Sequence, residues 1–239
     1  MKKLPFPFEN RMSRRGLIAG LVYFPIHVFV LPLLLPGILM NFGIEDEGLM
    51  NLVYYGLGIL VVLGLFMDYL RGQYDGLLDR LGLCVLSFFM ALGMDYLLSL
   101  AANSLVLALT GGAMDNPNEA AISEIVLRSS AAMRAVGIFM APIVEEVLFR
   151  GVIFGGLREK NRLAAYAVSM LMFALYHIWQ FAVVAGDAGM LVYVIQYLPV
   201  GFVLCWLYER SNTVWLPIGF HMMINAMGFA AENILEEMI

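Results

Sequence analysis

Charge is scarce in this 239-residue chain: Asp, Glu, Lys and Arg make up 14% of it, where a soluble globular domain carries about a quarter. Together with 62% hydrophobic residues and a mean hydropathy of +0.83, that shortage excludes an ordinary soluble domain and indicates a polytopic membrane protein. No basic stripe suits nucleic acid. Cysteine is nearly absent: Cys84 and Cys205 both fall inside apolar runs, with no Cys-x-x-Cys or Cys/His neighbourhood. A disulfide scaffold and a zinc knuckle are thereby excluded, leaving two buried inert thiols. There is no His-Glu-x-x-His helix of a zinc peptidase and no Gly-x-Ser-x-Gly nucleophile elbow. No domain-sized linker or low-complexity tract interrupts residues 1–239, which read as one integral membrane domain.

Long apolar runs are abundant. A window of about 20 residues, the length that spans a bilayer as helix, finds seven: 16–40, 49–70, 81–109, 133–157, 163–184, 189–208 and 213–231. The expected fold is an all-α transmembrane bundle of about seven to eight helices. The first run follows Lys2, Lys3, Arg11, Arg14 and Arg15, but it is too long for a signal-peptide core and has no small-residue cleavage site, so it is retained as a helix. Pro25, Pro32 and Pro36 are expected to kink it, and His27 within it to pack or hydrogen-bond. The one long connection, about 110–132, contains Asp115, Pro117, Asn118, Glu119, Ser123 and Glu124 before Ile125, Val126 and Leu127. It reads as a loop and one short amphipathic interfacial helix. A solvated connector fits it better than a lid or substrate shelf.

Orientation follows from the basic residues. With a cytoplasmic N-terminus, the loops on that side hold Lys2, Lys3, Arg11, Arg14, Arg15, Arg71, Arg80, Arg158, Lys160, Arg162 and Arg210, against Arg128 and Arg134 opposite. Eleven against two satisfies the positive-inside rule. Glu45-Asp46-Glu47 and the tail residues Glu232, Glu236 and Glu237 then lie outside.

Against this background the fourth run is anomalous, because it contains Glu145, Glu146 and Arg150. Each charge at a bilayer centre costs roughly 2.5 to 3.5 kcal/mol, so such groups call for pairing, a wet cavity and a function. On an α-helix Glu146 and Arg150 are four apart on one face and can neutralise each other. Glu145 lies about 100° around the helix and can point elsewhere. A carboxylate left free in a low-dielectric site holds its proton more tightly than one in water, which suits a general base. Gly151 and Gly155 allow another helix to approach closely. His177, one turn beyond Phe173, and His221, one turn before Asn225, sit inside two further apolar runs. One intramembrane histidine is ordinarily an interhelical hydrogen bond; three helices each bringing a buried acid, base or amide point to one shared interior.

Glu145-Glu146-x-x-x-Arg150, Phe173-x-x-x-His177 and His221-x-x-x-Asn225, in that order on successive hydrophobic segments, resemble the three motifs of the CPBP family. This family comprises the CAAX-prenyl-protease and bacteriocin-processing intramembrane endopeptidases once called Abi proteins. Each motif alone is weak, the ordered triplet is specific, and the resemblance covers about the last 110 residues, with the motif-bearing helices at 133–231. It implies a glutamate-dependent peptidase that needs no metal or other cofactor. Glu145 would activate water, His177 would help to hold it, His221 and Asn225 would donate to the oxyanion, and Glu146, Arg150 and Phe173 would organise the site. The residues alone do not decide which glutamate is the base, although helix geometry favours Glu145.

Other readings remain. His177, His221 and a glutamate could form a His2Glu zinc site with an open position. An aspartyl mechanism needs two facing aspartates, and only Asp95 lies near midmembrane, with Asp68 close to a helix end. Intramembrane Glu, Arg and His also suit a proton-coupled transporter, although the charges gather in the C-terminal half with no matching broken helix in the other. An immunity or scaffold protein on the same fold is the non-catalytic alternative. The resemblance implies a peptide or protein substrate that reaches a cavity from the bilayer. Compact size, and no organelle signal or long cytosolic domain, point to a prokaryotic plasma membrane.

Overall fold

The computed structural model describes residues 7–112 and 116–237, without the side chains of 127–130 and 232–237. Lys2, Lys3 and Asp115 lie outside the described residues, and the side chains of Arg128, Glu232, Glu236 and Glu237 are likewise not described. The described residues form seven long helices. These are α1 (Arg14–Asn41), α2 (Glu47–Leu78), α3 (Leu81–Leu109), α4 (117–158), α5 (Arg162–Ala185), α6 (Ala188–Ser211) and α7 (Trp215–Glu237).

Five of the seven, α1, α2, α3, α5 and α6, are long and apolar enough to cross a membrane by length and composition. The two that fall short, α4 and α7, are those interrupted by Glu145, Glu146 and Arg150 and by His221 and Asn225. The chain is an all-α helical membrane bundle, and two of the three helices bearing the motifs, α4 and α7, are its polar-diluted ones.

Polar residues start the helices, as capping requires. Ser13, Asp46, Asn116 and Asn161 each accept a backbone N–H from the first turn of α1, α2, α4 and α5. Left-handed Gly186 and Asn212 follow α5 and α6. Asn116, with Pro117 at the first helical position, starts α4, and the interfacial segment Pro117–Ala135 is the first part of this longer helix. It runs without a break through 135 into the Glu145 region. Sequence reading separated the two because composition changes there, but no residue between them terminates a helix.

Proline shapes the backbone without breaking it. In α1 the N–H of Leu31 reaches back five residues to the carbonyl of Ile26, immediately before Pro32. In α4 the N–H of Ala141 does the same to Val136, immediately before Pro142. A wide π turn before a residue with no N–H absorbs the missing bond. A third π stretch, Glu146–Phe154, carries Glu146 and Arg150 and has no proline to account for it.

The two ends of the bundle differ. At the arginine-rich pole Arg11 donates to the Gly72 carbonyl at 2.8 Å, Arg80 to that of Ser211 at 3.2 Å and Arg210 to the Ser87 hydroxyl at 2.9 Å. Arg158 and Arg162 both pair with the buried carboxylate of Glu209, which also accepts from Tyr166. These contacts tie the segment before α1 to α2, and join α3, α4, α5 and α6. At the opposite pole the helices splay around a cavity of about 1110 Å³.

The Gly151/Gly155 pair does admit close neighbours: a Cβ on Gly151 would lie 3.1 Å from the Tyr69 hydroxyl, and one on Gly155 2.8 Å from Asn10 Nδ2. Gly64 faces open space. Gly151→Leu is therefore expected to destabilise the protein by about 1–3 kcal/mol through overpacking, whereas Gly64→Leu leaves the melting temperature in detergent unchanged. Comparing the two melting curves checks this.

Candidate active site

Glu145 and Glu146 are both buried, at 3% and 0% exposure, yet they face different partners. One oxygen of Glu146 accepts from Arg150 at 3.0 Å and from His221 Nδ1 at 2.9 Å. Arg150, itself fully buried, donates also to the Gly201 carbonyl at 3.3 Å and lies 4.3 Å over the Phe173 ring. Phe173 stands edge-on to Phe149 and packs against both His177 and His221. Glu146, Arg150 and Phe173 thus form the wall behind the cavity and do not line it.

Glu145, His177, His221 and Asn225 all line the cavity. Oε1 of Glu145 accepts the Tyr55 hydroxyl at 2.7 Å. Its Oε2 has no hydrogen-bond partner among the described residues and lies 4.0 Å from His221 Nε2. A carboxylate can only accept, so the His221 Nδ1 that meets Glu146 carries a proton. Two carboxylates and one guanidinium leave the cluster one positive charge short of neutrality.

His177 is held in a different way. Its Nδ1 meets the Phe173 carbonyl at 2.8 Å and its ring stacks on Tyr197 at 4.4 Å and 16°. A carbonyl also only accepts, so Nδ1 is protonated and Nε2 of the neutral ring offers a lone pair. Asn225 Nδ2 donates to the Gly137 carbonyl at 2.8 Å, which fixes the amide and leaves its second N–H available. The arrangement therefore offers, around one cavity, a free carboxylate oxygen, a lone pair and two potential N–H donors. These are the elements needed to deprotonate water and stabilise an oxyanion.

Two other candidates lie elsewhere. Asp95, on α3, is not part of the cavity lining. His27 is fully buried, stacks on Tyr54 at 4.6 Å and meets the Tyr23 hydroxyl at 3.2 Å, the packing role expected of it. Among the described residues no three His, Cys, Asp or Glu side chains gather in a group that could hold a metal ion.

Sequence reasoning missed the tyrosines. Tyr176 sits 3.0 Å from both the Tyr54 and Tyr55 hydroxyls, and Tyr54 donates to the His27 carbonyl at 2.8 Å. This chain of hydroxyls connects Glu145 to α1, α2 and α5. The available signal was the adjacent pair Tyr54-Tyr55 inside an otherwise aliphatic run, and Tyr176 beside His177. Asn116 and Asn118 were likewise missed; both donate to the Tyr197 hydroxyl, at 3.2 and 3.0 Å, and so fasten the start of α4 to the ring under His177.

The two glutamates should separate on stability. Glu146→Ala leaves Arg150 buried without its carboxylate and is expected to destabilise by about 3–5 kcal/mol. Glu145→Gln retains an acceptor for Tyr55 and is expected to melt within a few degrees of wild type. Thermal unfolding of both variants in one detergent tests this.

Residues 127–227, which contain all three motifs, match the family model described as Type II CAAX prenyl endopeptidase Rce1-like. Among curated proteins the chain is 31% identical over 156 residues to one from Bacillus subtilis (strain 168) named "Putative membrane peptidase YdiL", covering 63% of this chain and 57% of that protein. It is also 30% identical over 97 residues to the UPF0177 protein YxdF of Lactococcus lactis subsp. lactis (strain IL1403), covering 41% and 48%. The chain spans about half the length of these curated relatives. No solved structure matches it.

Proposed function

We propose that this multi-pass membrane protein, whose residues 127–227 match the Rce1-like type II CAAX prenyl endopeptidase family model, hydrolyses a peptide bond of a membrane-associated protein or peptide by glutamate-activated water. The observation that carries this reading is the unequal state of the two adjacent glutamates. Glu146 is committed to Arg150 and His221, while Glu145 presents an oxygen with no hydrogen-bond partner among the described residues to a cavity that His177, His221 and Asn225 share.

In the proposed mechanism a water molecule bound between Glu145 Oε2 and the His177 Nε2 lone pair loses its proton to Glu145 as its oxygen attacks the scissile carbonyl. The negative oxygen of the tetrahedral intermediate accepts from the free N–H of Asn225 and from an N–H at His221 Nε2. Glu145 then hands its proton to the leaving nitrogen as the C–N bond breaks. Glu146 orients His221 through Nδ1, and Arg150 holds Glu146 in place. Tyr55, locked by Tyr176, holds Oε1 so that Oε2 is the oxygen that meets water. No metal takes part in these steps. The prokaryotic plasma membrane is the proposed location, in keeping with bacterial relatives.

The test is cleavage of a peptide library by purified protein in lipid nanodiscs. Glu145→Gln is expected to slow hydrolysis by about a thousandfold and His177→Ala by a similar order, with a strong chelator leaving wild type unaffected. Tyr55→Phe, which removes a hydrogen bond to a charged group, is expected to lose about tenfold or more in kcat with little change in KM. Full activity of Glu145→Gln would overturn the mechanism, and loss of wild-type activity in chelator would replace it with a metal-dependent one.

A further inference from the structure

The cavity is not equally accessible from both poles. Its lining includes Met40, Glu45 and Glu47 at the turn between α1 and α2, and Asn118 in the first turn of α4. From there it descends to Glu145, whose buried Oε2 has no partner among the described residues. None of the arginines of the other pole contributes to the lining, and that pole is closed by the contacts of Arg11, Arg80, Arg158, Arg162 and Arg210. Basic residues next to membrane spans mark the cytoplasmic side. The mouth of the cavity is therefore on the outer face.

Among the described residues, every charged side chain that lines the cavity is acidic: Glu45, Glu47, Glu119 and Glu145. Glu45, Asp46 and Glu47 are exposed, adjoin the rim, and also line a small second hollow with Gly48 and Ile125. Acidic side chains at the rim of a low-dielectric cavity concentrate cations and repel anions. The wall between rim and floor is largely apolar, with Leu31, Leu35, Ile122 and Phe229 among its residues.

We infer that the site accepts a peptide presented at the extracytoplasmic surface, an apolar stretch flanked by Lys or Arg, with Glu45 and Glu47 as the residues that select its positive charge. Cleavage of the bound peptide rests on the peptidase reading, but the selection itself requires no cleavage. A segment delivered from the cytoplasm meets the closed pole, and an acidic flank meets repulsion at the open one.

Two measurements test it. In intact cells a membrane-impermeant maleimide should label Asn51→Cys, which lines the cavity near the rim, and should reach Lys160→Cys only after permeabilisation; the native Cys84 and Cys205 are buried. The reverse pattern would overturn the assignment of the mouth. In nanodiscs at low salt, Glu145→Gln protein should bind a fluorescent apolar peptide flanked by lysines about tenfold more tightly than its glutamate-flanked counterpart. That preference should shrink as salt screens the rim. Glu45→Lys/Glu47→Lys should abolish or invert it with an unchanged melting temperature. Equal binding of the two peptides, or a preference indifferent to the double substitution, would overturn charge selection. A wild-type protein that binds with the stated preference and cleaves nothing would sink the peptidase reading while leaving this inference in place.

Discussion

Everything at this site depends on one buried ion pair. Arg150 and Glu146 are both fully buried, and an isolated charge in such a place carries a penalty of several kcal/mol. Their 3.0 Å contact settles most of that locally, and the remaining contacts turn the necessity into order. The guanidinium extends to the Gly201 carbonyl and lies over Phe173, while Glu146 reaches His221 on α7. One pair thus registers α4 against α5, α6 and α7. Because Glu146 is consumed in this way, its neighbour Glu145 is the carboxylate left facing the cavity.

The N-terminal half of the chain, where no motif occurs, supplies the other hand that holds Glu145. Tyr55 from α2 donates to it, Tyr176 from α5 locks Tyr55, and Tyr54 continues the chain to the backbone of α1. At the closed pole Arg158 and Arg162 share Glu209, and Gln73 accepts the Val214 N–H that opens α7. The helices that bear the site are therefore clamped at one end and parted at the other. A cavity that opens toward a single pole is the consequence.

Much of this was legible in the sequence for physical reasons. Scarcity of charge and seven apolar runs were enough for an all-α membrane bundle, since only helices or closed barrels satisfy the backbone in lipid. The spacing of Glu146 and Arg150 indicated their pairing, and the contact forms even though the local backbone is in π rather than α register. What was not legible has an equally plain cause. Tyrosine is common near membrane surfaces, so Tyr54, Tyr55 and Tyr176 carried no distinguishing pattern until the fold brought three hydroxyls within hydrogen-bond reach of one another. The separate interfacial helix was inferred from a change in composition, but composition shifts do not end helices; caps do, and Asn116 marks where α4 begins. The pairing of His221 with Glu146, rather than a free histidine beside Glu145, needed the approach of α7 to α4, which no local spacing encodes.

The claim that the Glu146–Arg150 pair organises the site is tested most directly by a double-mutant cycle on stability. Glu146→Met, Arg150→Met and the double variant are purified in the same detergent and their unfolding free energies compared. The pairing account predicts that each single variant is destabilised by about 3–5 kcal/mol, because it strands one charge in the interior, and that the double variant recovers most of that loss. Additive losses, with the double variant less stable than either single one, would contradict it.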